Sequence, residues 1–378
     1  MTSDTIGGVW TYTLELCRAL APHGVRIELA TMGAALTAVQ RRQVQQLTNV
    51  CLHESSYRLE WMADPWEDLD RAAKWLLQLE RATRPAIVHL NHLVHAELPW
   101  RAPVLSVGHS CVLSWWQATH GERAPATWDT YAERVRSSLR AATCIVAPSA
   151  AMLSELQRLY GPLPQALVIH NCRSAPGHSS LQRERVVLCA GRVWDRAKNV
   201  ETLARAALQI SAPVMLAGES HGPDGHGLTF PNLSQLGQLD EGTLNQWYAR
   251  AAIYVLPARY EPFGLTALEA ALAGCALVLG DIPSLREIWG SAAEYVSPND
   301  ADQLGRSVNR LLTDDGARCR AVLRASAQAR AYRPEKQARQ YHDLYRALLD
   351  ERLAGARRHG ARAGGARFDG APGQYMRG

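Results

Sequence analysis

Short runs of β-branched and aliphatic residues alternate along this chain with longer segments whose apolar positions recur at helical spacing. "VRIELAT" (25–31), "AIVHL" (86–90), "PVLSVG" (103–108) and "TCIVAPS" (143–149) read as buried parallel strands. Helical patterns lie between them, as over 129–142. The alternation breaks at "HNCRSAPGHSSLQRER" (170–185), which is rich in Ser, Gly and Pro, as a linker should be. It resumes with "RVVLCAGR" (185–192), "PVMLAG" (213–218), "AAIYVLPA" (251–258), "CALVLGD" (275–281) and "AAEYVSP" (292–298). Alternating strand and helix predicts parallel sheets covered by helices on both faces. The pattern therefore predicts an α/β protein of two Rossmann-like, doubly wound domains facing a central cleft, with ligands at the carboxyl ends of the strands.

The expected units are a first Rossmann-like domain over 1–172, a second over 173–335, a helix over 336–354 packing back on the first domain, and a tail over 355–378. The tail is rich in Gly, Arg and Ala and is expected to be disordered. The first domain has a defect. Only Met1–Ser3 precede the glycine loop "DTIGGVW", so its opening strand is expected to be truncated, with the natural start upstream and Met1 internal to that strand.

Composition narrows the classes. At 47% apolar residues the chain can bury sizeable cores, and no apolar run reaches the roughly 18 residues of a membrane span. The first residues lack a basic segment followed by an apolar one, so no signal peptide is expected. The eight cysteines form no C-x-x-C pair and read as buried thiols of a cytosolic protein. The net charge of +5 resides mostly in the last 24 residues, with five Arg and one Asp. The body is nearly neutral, which does not support a nucleic-acid-binding face.

Four strand-end positions carry candidate chemistry. Gly7 and Gly8 let the backbone approach a ligand closely, or simply make a tight strand–helix turn. In "GRVWDRAKN", Arg192 and Lys198 offer a fork and a point charge suited to a diphosphate; the alternative is two solvated cations. In "ARYEPFGLTALEAALAG", a helix starting near Gly264 would present the N–H groups of Phe263, Gly264 and Leu265 to phosphate or sugar hydroxyls. Glu269 follows about 7–8 Å along that helix, near the separation of a diphosphate from its ribose. The competing reading is a capping box with Thr266 as N-cap and Glu269 at N3. The fourth position is His109, in "SVGHS".

Together these stretches resemble the retaining glycosyltransferases of family 4, which have the GT-B fold. The resemblance spans about residues 4–350 and rests above all on the E-x7-E motif from Glu261 to Glu269. "DTIGGVW", "VGHS", "VIHN", "GRVWDRAKN", "LAGES", "AGCALVLGD" and "IPSLREI" stand in the family's order. It implies transfer of a sugar from a nucleoside diphosphate sugar to an acceptor hydroxyl with retained configuration, in glycan, polysaccharide or glycolipid synthesis. Glu261 and His109 would lie by the donor sugar, Gly8 by donor or acceptor, Glu269 at the ribose, and Arg192 and Lys198 at the leaving diphosphate. The leaving phosphate would help to deprotonate the acceptor. The loop "LGQLDEG" (236–242) would pass the base. The acceptor would be a carbohydrate or a lipid-linked sugar, placing the protein in the cytoplasm with a peripheral membrane contact open to it. No cofactor and no metal are expected: the D-x-D at Asp68–Asp70 falls in a helical stretch, not at a strand end.

Eight tryptophans fall in the first domain, and Trp115 and Trp116 follow His109 closely. Both suit stacking on an acceptor sugar, and ordinary packing equally well. Rival readings are a nucleotide-sugar epimerase or phosphorylase on the same fold, and a non-catalytic scaffold.

Overall fold

A computed structural model describes residues 1–175, 183–222 and 227–364, and side chains through residue 354. Part of the expected linker, 176–182, therefore lies outside the described residues, as do 365–378 of the expected tail. The first half runs β1 (Thr2–Asp4), α1 (Gly8–Leu20), β2 (Ile27–Met32), α2 (Ala38–Gln45), β3 (Val50–Glu54), α3 (Trp66–Thr83) and β4 (Val88–Leu90). It continues with β5 (Val104–Val107), α4 (Val112–His120), α5 (Asp129–Ala141), β6 (Cys144–Ala147), α6 (Ala150–Tyr160) and β7 (Ala166–Val168). The second half runs β8 (Glu184–Ala190), α7 (Val200–Ala207), β9 (Val214–Ala217), β10 (Ser234–Gly237), α8 (Glu241–Arg250), β11 (Ala251–Leu256) and α9 (Leu265–Leu272). It ends with β12 (Ala276–Gly280), α10 (Pro283–Trp289), β13 (Glu294–Val296), α11 (Ala301–Thr313), α12 (Asp315–Ala329) and α13 (Pro334–Gly364).

All strand ladders are parallel. The second half holds one sheet in the order β10-β9-β8-β11-β12-β13. Every residue of β11, "AAIYVL", is buried, as a central strand covered on both faces requires. Helix starts carry the expected side-chain caps: Ser149 receives the Met152 N–H, Asp240 the Thr243 N–H, Asp300 the Gln303 N–H and Asp314 the Ala317 N–H.

The first half is split into β1-β2-β3 and β4-β5-β6-β7. The short β1 does pair with β2, through Thr2–Ala30, Ser3–Thr31 and Asp4–Met32. Between β1 and β4 no ladder forms among the described residues. Side chains span the seam instead: the Asn91 N–H donates to Thr2 Oγ1 at 2.9 Å and Asn91 Nδ2 to the Thr2 carbonyl at 2.8 Å.

Helix α13 leaves the second half and packs on α1. Ala338, Tyr341, Leu344, Tyr345 and Leu348 enter the first half's core, and the Tyr12 hydroxyl donates to Tyr341 at 2.7 Å. The helix continues to Gly364, so the stretch 355–364 is helical rather than part of a disordered tail. Two cysteines depart from the buried-thiol expectation. Cys51, on the edge strand β3, and Cys319, on α12, are exposed.

Candidate active site

Strand ends of both halves meet across the cleft. After β1 the chain enters α1 through Gly7, whose φ of 78° is left-handed. A Cβ at Gly7 would lie 3.9 Å from Arg192 Nη1, and one at Gly8 would lie 3.5 Å from Leu265 Cδ1. The glycine loop thus brings the N-terminal backbone against the groups expected at the donor. Beneath it, Asp4 Oδ1 accepts the Ile6 N–H at 2.7 Å, and burial pushes the Asp4 carboxyl up to about 7.

From the second half, Lys198 reaches Glu261: Nζ lies 2.5 Å from Oε2, with side chains 16% and 11% exposed. Glu261 Oε1 accepts the Gly264 N–H at 3.0 Å, so its carboxylate is fixed from two sides. Arg192 Nη2 donates to Asp195 Oδ2 at 2.8 Å, and Asp195 Oδ1 accepts the Ala197 N–H at 3.0 Å. Burial opposes ionisation of Asp195, but Arg192 and Lys198 outweigh it and hold its carboxyl below the usual range. Both cations are therefore paired, not freely solvated.

Gly264, with φ 93°, is the N-cap of α9. A left-handed N-cap suits glycine; its side-chain-free cap leaves the first N–H groups of the helix uncapped, whereas the Gly264 N–H, expected to be open to a ligand, is taken by Glu261. The capping-box reading of "TALE" does not hold. Thr266 lies inside the helix, where its hydroxyl accepts from Tyr254 at 2.7 Å. Phe263 keeps its side chain in the core, edge-on to Tyr332, leaving only its backbone for a ligand. Glu269 is 13% exposed; the Tyr248 hydroxyl donates to its Oε2 at 3.1 Å. Burial pushes the Glu269 carboxyl up, and the nearby Arg173 guanidinium works against that shift. The loop 236–242 leaves β10 and caps α8 through Asp240.

His109 is half-buried, its ring 4.4 Å from Tyr12. Its Nε2 faces Asn91 Oδ1 at 3.0 Å, and burial lowers its pKa to about 3. A neutral ring that donates from Nε2 leaves Nδ1 as an acceptor. Trp115 does not stand free: its indole N–H donates to Asp195 Oδ1 at 2.9 Å across the cleft. Trp116 stacks on His120, with centroids 4.2 Å apart and planes 14° apart. Asp68 and Asp70 lie on α3, paired with Arg71 and Arg134.

Sequence reasoning passed over three residues that organise this site. Asp195 stands inside the quoted "GRVWDRAKN", three positions from Arg192, but its indole partner is remote in sequence. Asn91 belongs to "HLNHLVH", whose histidines dilute any signal. The Tyr260 hydroxyl accepts from the Cys111 N–H and the Ser114 hydroxyl, at 3.0 and 2.9 Å, holding the Glu261 turn against the first half.

Comparison with known proteins matches this geometry with a family. The model described as Glycosyltransferase Family 4 matches residues 6–173, and that described as Glycosyl transferases group 1 matches residues 184–314. A D-inositol 3-phosphate glycosyltransferase of Thermobispora bispora is 27% identical over 363 residues, 82% of each chain. A glycogen synthase of Mycobacterium tuberculosis is 29% identical over 279 residues, 67% of this chain and 66% of that one. Among solved structures, the sucrose-phosphate synthase of Thermosynechococcus elongatus superposes with a TM-score of 0.75 at 20% identity, over 93% of this chain and 96% of that one. Anabaena HepE gives 0.70 at 13% identity, over 92% and 100%. Two family models that divide the chain at its linker, and neighbours that share both halves, lead to one conclusion: this chain belongs to the group 1 and family 4 glycosyltransferases and has their GT-B fold.

Proposed function

We propose that this glycosyltransferase moves a sugar from a nucleoside diphosphate sugar to a hydroxyl of a carbohydrate or lipid-linked sugar acceptor, with retention of configuration and without a metal or other cofactor. The observation that carries the reading is the pairing of Lys198 with Glu261 beside Arg192, at the point where the Gly7–Gly8 loop crosses the cleft. HepE structures are complexes with UDP, with UDP and glucose, and with UDP-glucose, which supports a donor of this class here.

Each residue then has a task. Arg192 and Lys198 neutralise the diphosphate as negative charge grows on it, and the first N–H groups of α9 add to that field. Glu261 accepts hydroxyls of the transferred sugar, its orientation fixed by Lys198 and the Gly264 N–H. Glu269 accepts the ribose hydroxyls. His109, neutral and anchored by Asn91, offers Nδ1 to a sugar hydroxyl on the opposite wall. Glu261 is thus held as an acceptor of hydrogen bonds, and the departing phosphate receives the acceptor's proton on the same face of the sugar. Two cations in place supply the positive charge that a divalent ion would otherwise bring to the diphosphate.

Calorimetric titration with UDP, GDP and ADP, then with the matching sugar nucleotides, identifies the donor. Glu269→Ala weakens nucleotide binding by about 10–100-fold, the worth of a charge-assisted hydrogen bond or two. Proton NMR of the product reports the anomer, and a chelator leaves the rate unchanged. An inverted product would overturn retention; a rate abolished by chelator and restored by a divalent ion would overturn metal independence.

A further inference from the structure

Arg173 belongs to none of the motifs above. It stands where the chain leaves the first half, its side chain only 10% exposed, and three carboxylates from three helices converge on it. Its Nη1 lies 3.1 Å from Glu15 Oε2 on α1, its Nη2 2.7 Å from Glu241 Oε1 on α8, and its Nε 2.8 Å from Glu269 Oε1 on α9. The first two are hydrogen bonds; the third is an ion pair whose N–H is not aligned with the oxygen. The Ser174 hydroxyl donates to the other oxygen of Glu15, at 2.5 Å. Glu15 is 3% exposed on its helix in the first half, so Arg173 joins a buried anion there to Glu269 in the second half.

This arrangement bears on the ribose. A carboxylate offers about four lone-pair sites. At Glu269 the Tyr248 hydroxyl takes one on Oε2 and the Arg173 guanidinium stands against Oε1 as an ion pair, which leaves acceptor sites for two vicinal hydroxyls. Without the guanidinium, burial and the nearby Glu241 carboxylate would both favour the neutral acid of Glu269, opposed only by the hydrogen bond from the Tyr248 hydroxyl. A protonated Glu269 would turn one acceptor into a donor and lose the match to a diol.

We propose that Arg173 is a positioning residue for the donor: acting through Glu269, it holds that carboxylate charged and oriented for the ribose and ties it to the first half through Glu15. The proposal rests on the reading of Glu269 as the ribose acceptor. It does not require Arg173 to touch the nucleotide.

The test compares Arg173→Met, Arg173→Lys, Glu15→Gln, the double variant Arg173→Met/Glu15→Gln, and Glu269→Ala. The probe is whichever of UDP, GDP and ADP binds the parent protein most tightly. Arg173→Met should weaken binding by about 10–30-fold and raise the donor KM alike, with kcat within about 3-fold. Its affinity should also fall off at higher pH than the parent's as the solution is acidified. Arg173→Lys should recover part of the loss, because lysine restores charge without the fork. The double variant removes the ion pair as a unit; it should regain melting temperature lost by Arg173→Met but not nucleotide affinity. Affinity within 2-fold of the parent in Arg173→Met, or restored in the double variant, overturns the proposal and leaves Arg173 a structural tie. If Glu269→Ala weakens binding while Arg173→Met does not, this inference alone fails; if Glu269→Ala binds normally, the ribose reading fails with it.

Discussion

The two halves share a topology and are held together differently. In the second half every neighbouring strand is joined by a backbone ladder, and the ion pairs of the candidate site, Arg192 with Asp195 and Lys198 with Glu261, stand just beyond strand ends. In the first half the sheet parts between β1 and β4, and neutral side chains occupy the gap. Thr2 Oγ1 meets His92 Nδ1 at 3.1 Å, His92 Nε2 meets His95 Nδ1 at 3.0 Å, and His95 Nε2 meets the Leu69 carbonyl at 3.0 Å. His89 and His109 both converge on Asn91 Oδ1, and His89 also meets the Tyr345 hydroxyl of α13. A ladder is satisfied whatever side chains it carries. A side-chain network has no such redundancy and works only while its imidazoles stay neutral. The halves should therefore fail by different routes: the second by loss of charge, the first by loss of polar partners or gain of protons.

The largest effect should come from the ion pairs of the second half. Lys198→Ala should lower kcat by about 100–1,000-fold, the scale seen when one preorganised stabiliser of developing charge is removed. Donor affinity should fall much less, because the interaction strengthens as the diphosphate departs. Steady-state and single-turnover kinetics separate the two. A raised KM at unchanged kcat would place Lys198 in ground-state binding only.

Next comes the seam. Asn91→Ala removes the amide that meets Thr2, His89 and His109, leaving buried polar atoms unpartnered. It should cost about 2–4 kcal/mol of stability, the sum of one or two such orphaned groups. Eight of the eleven tryptophans lie in the first half, so intrinsic fluorescence reports mainly on it. The fluorescence midpoint in urea should drop, while Ala substitution at an exposed charge such as Arg250 leaves it in place. An unchanged midpoint would mean that β1 is held by its ladder to β2 alone.

Acid should act on the same half. Burial lowers the His95 pKa to about 4 and the His109 pKa to about 3, and pushes His89 and His92 well down as well. Folded values below the unfolded value near 6.5 mean that the unfolded chain binds more protons in this window. The stability these neutral rings confer is full above pH 6.5 and is lost as pH falls towards the folded values, by at most about 1.4 kcal/mol per ring per pH unit. Asp4, raised to about 7, works in the opposite sense between the unfolded value near 3.8 and 7, so the net loss is smaller than the rings alone would give. The fluorescence-detected melting temperature should fall between pH 6.5 and 5.5, and His92→Gln should flatten that slope. A flat profile in the parent protein would show that the seam does not limit stability.

The same contrast explains what could be read from the sequence. β8, β9, β11 and β12 announce themselves as aliphatic runs because both faces are buried. β3, "VCLHE", and β10, "SQLG", are sheet edges with half-exposed or exposed positions, and they went unread for lack of an apolar signal. β1 is too short to carry one, and its partners Asn91 and His92 lie about ninety residues away. At the site, Glu261, Glu269, Arg192 and Lys198 were legible because each sits at a fixed offset from a strand or a glycine. Arg173 was not: it makes its three carboxylate contacts across the fold, and no local spacing records them. The helical character of "TALE" was legible, but not its register, because a left-handed Gly264 took the cap that Thr266 could have filled.

The smallest effect should fall on Trp115, a side chain that links the two halves. Its indole N–H is one of three donors on Asp195, beside Arg192 and the Ala197 N–H. Trp115→Phe keeps an aromatic face but removes that donor. Asp195 would retain Arg192, so the loss should be that of one ordinary hydrogen bond, about 0.5–1.5 kcal/mol or a 2–10-fold fall in kcat/KM for the donor. The proposed stacking role predicts otherwise. If the indole is a platform for the acceptor sugar, phenylalanine should preserve much of the stacking, and the remaining deficit should appear in the acceptor KM. Varying donor and acceptor separately distinguishes the two. A donor-side loss at unchanged acceptor KM assigns Trp115 to the Asp195–Arg192 pair, and so makes a residue of the first half a support for an ion pair of the second. A loss confined to the acceptor KM would instead assign Trp115 to the acceptor sugar.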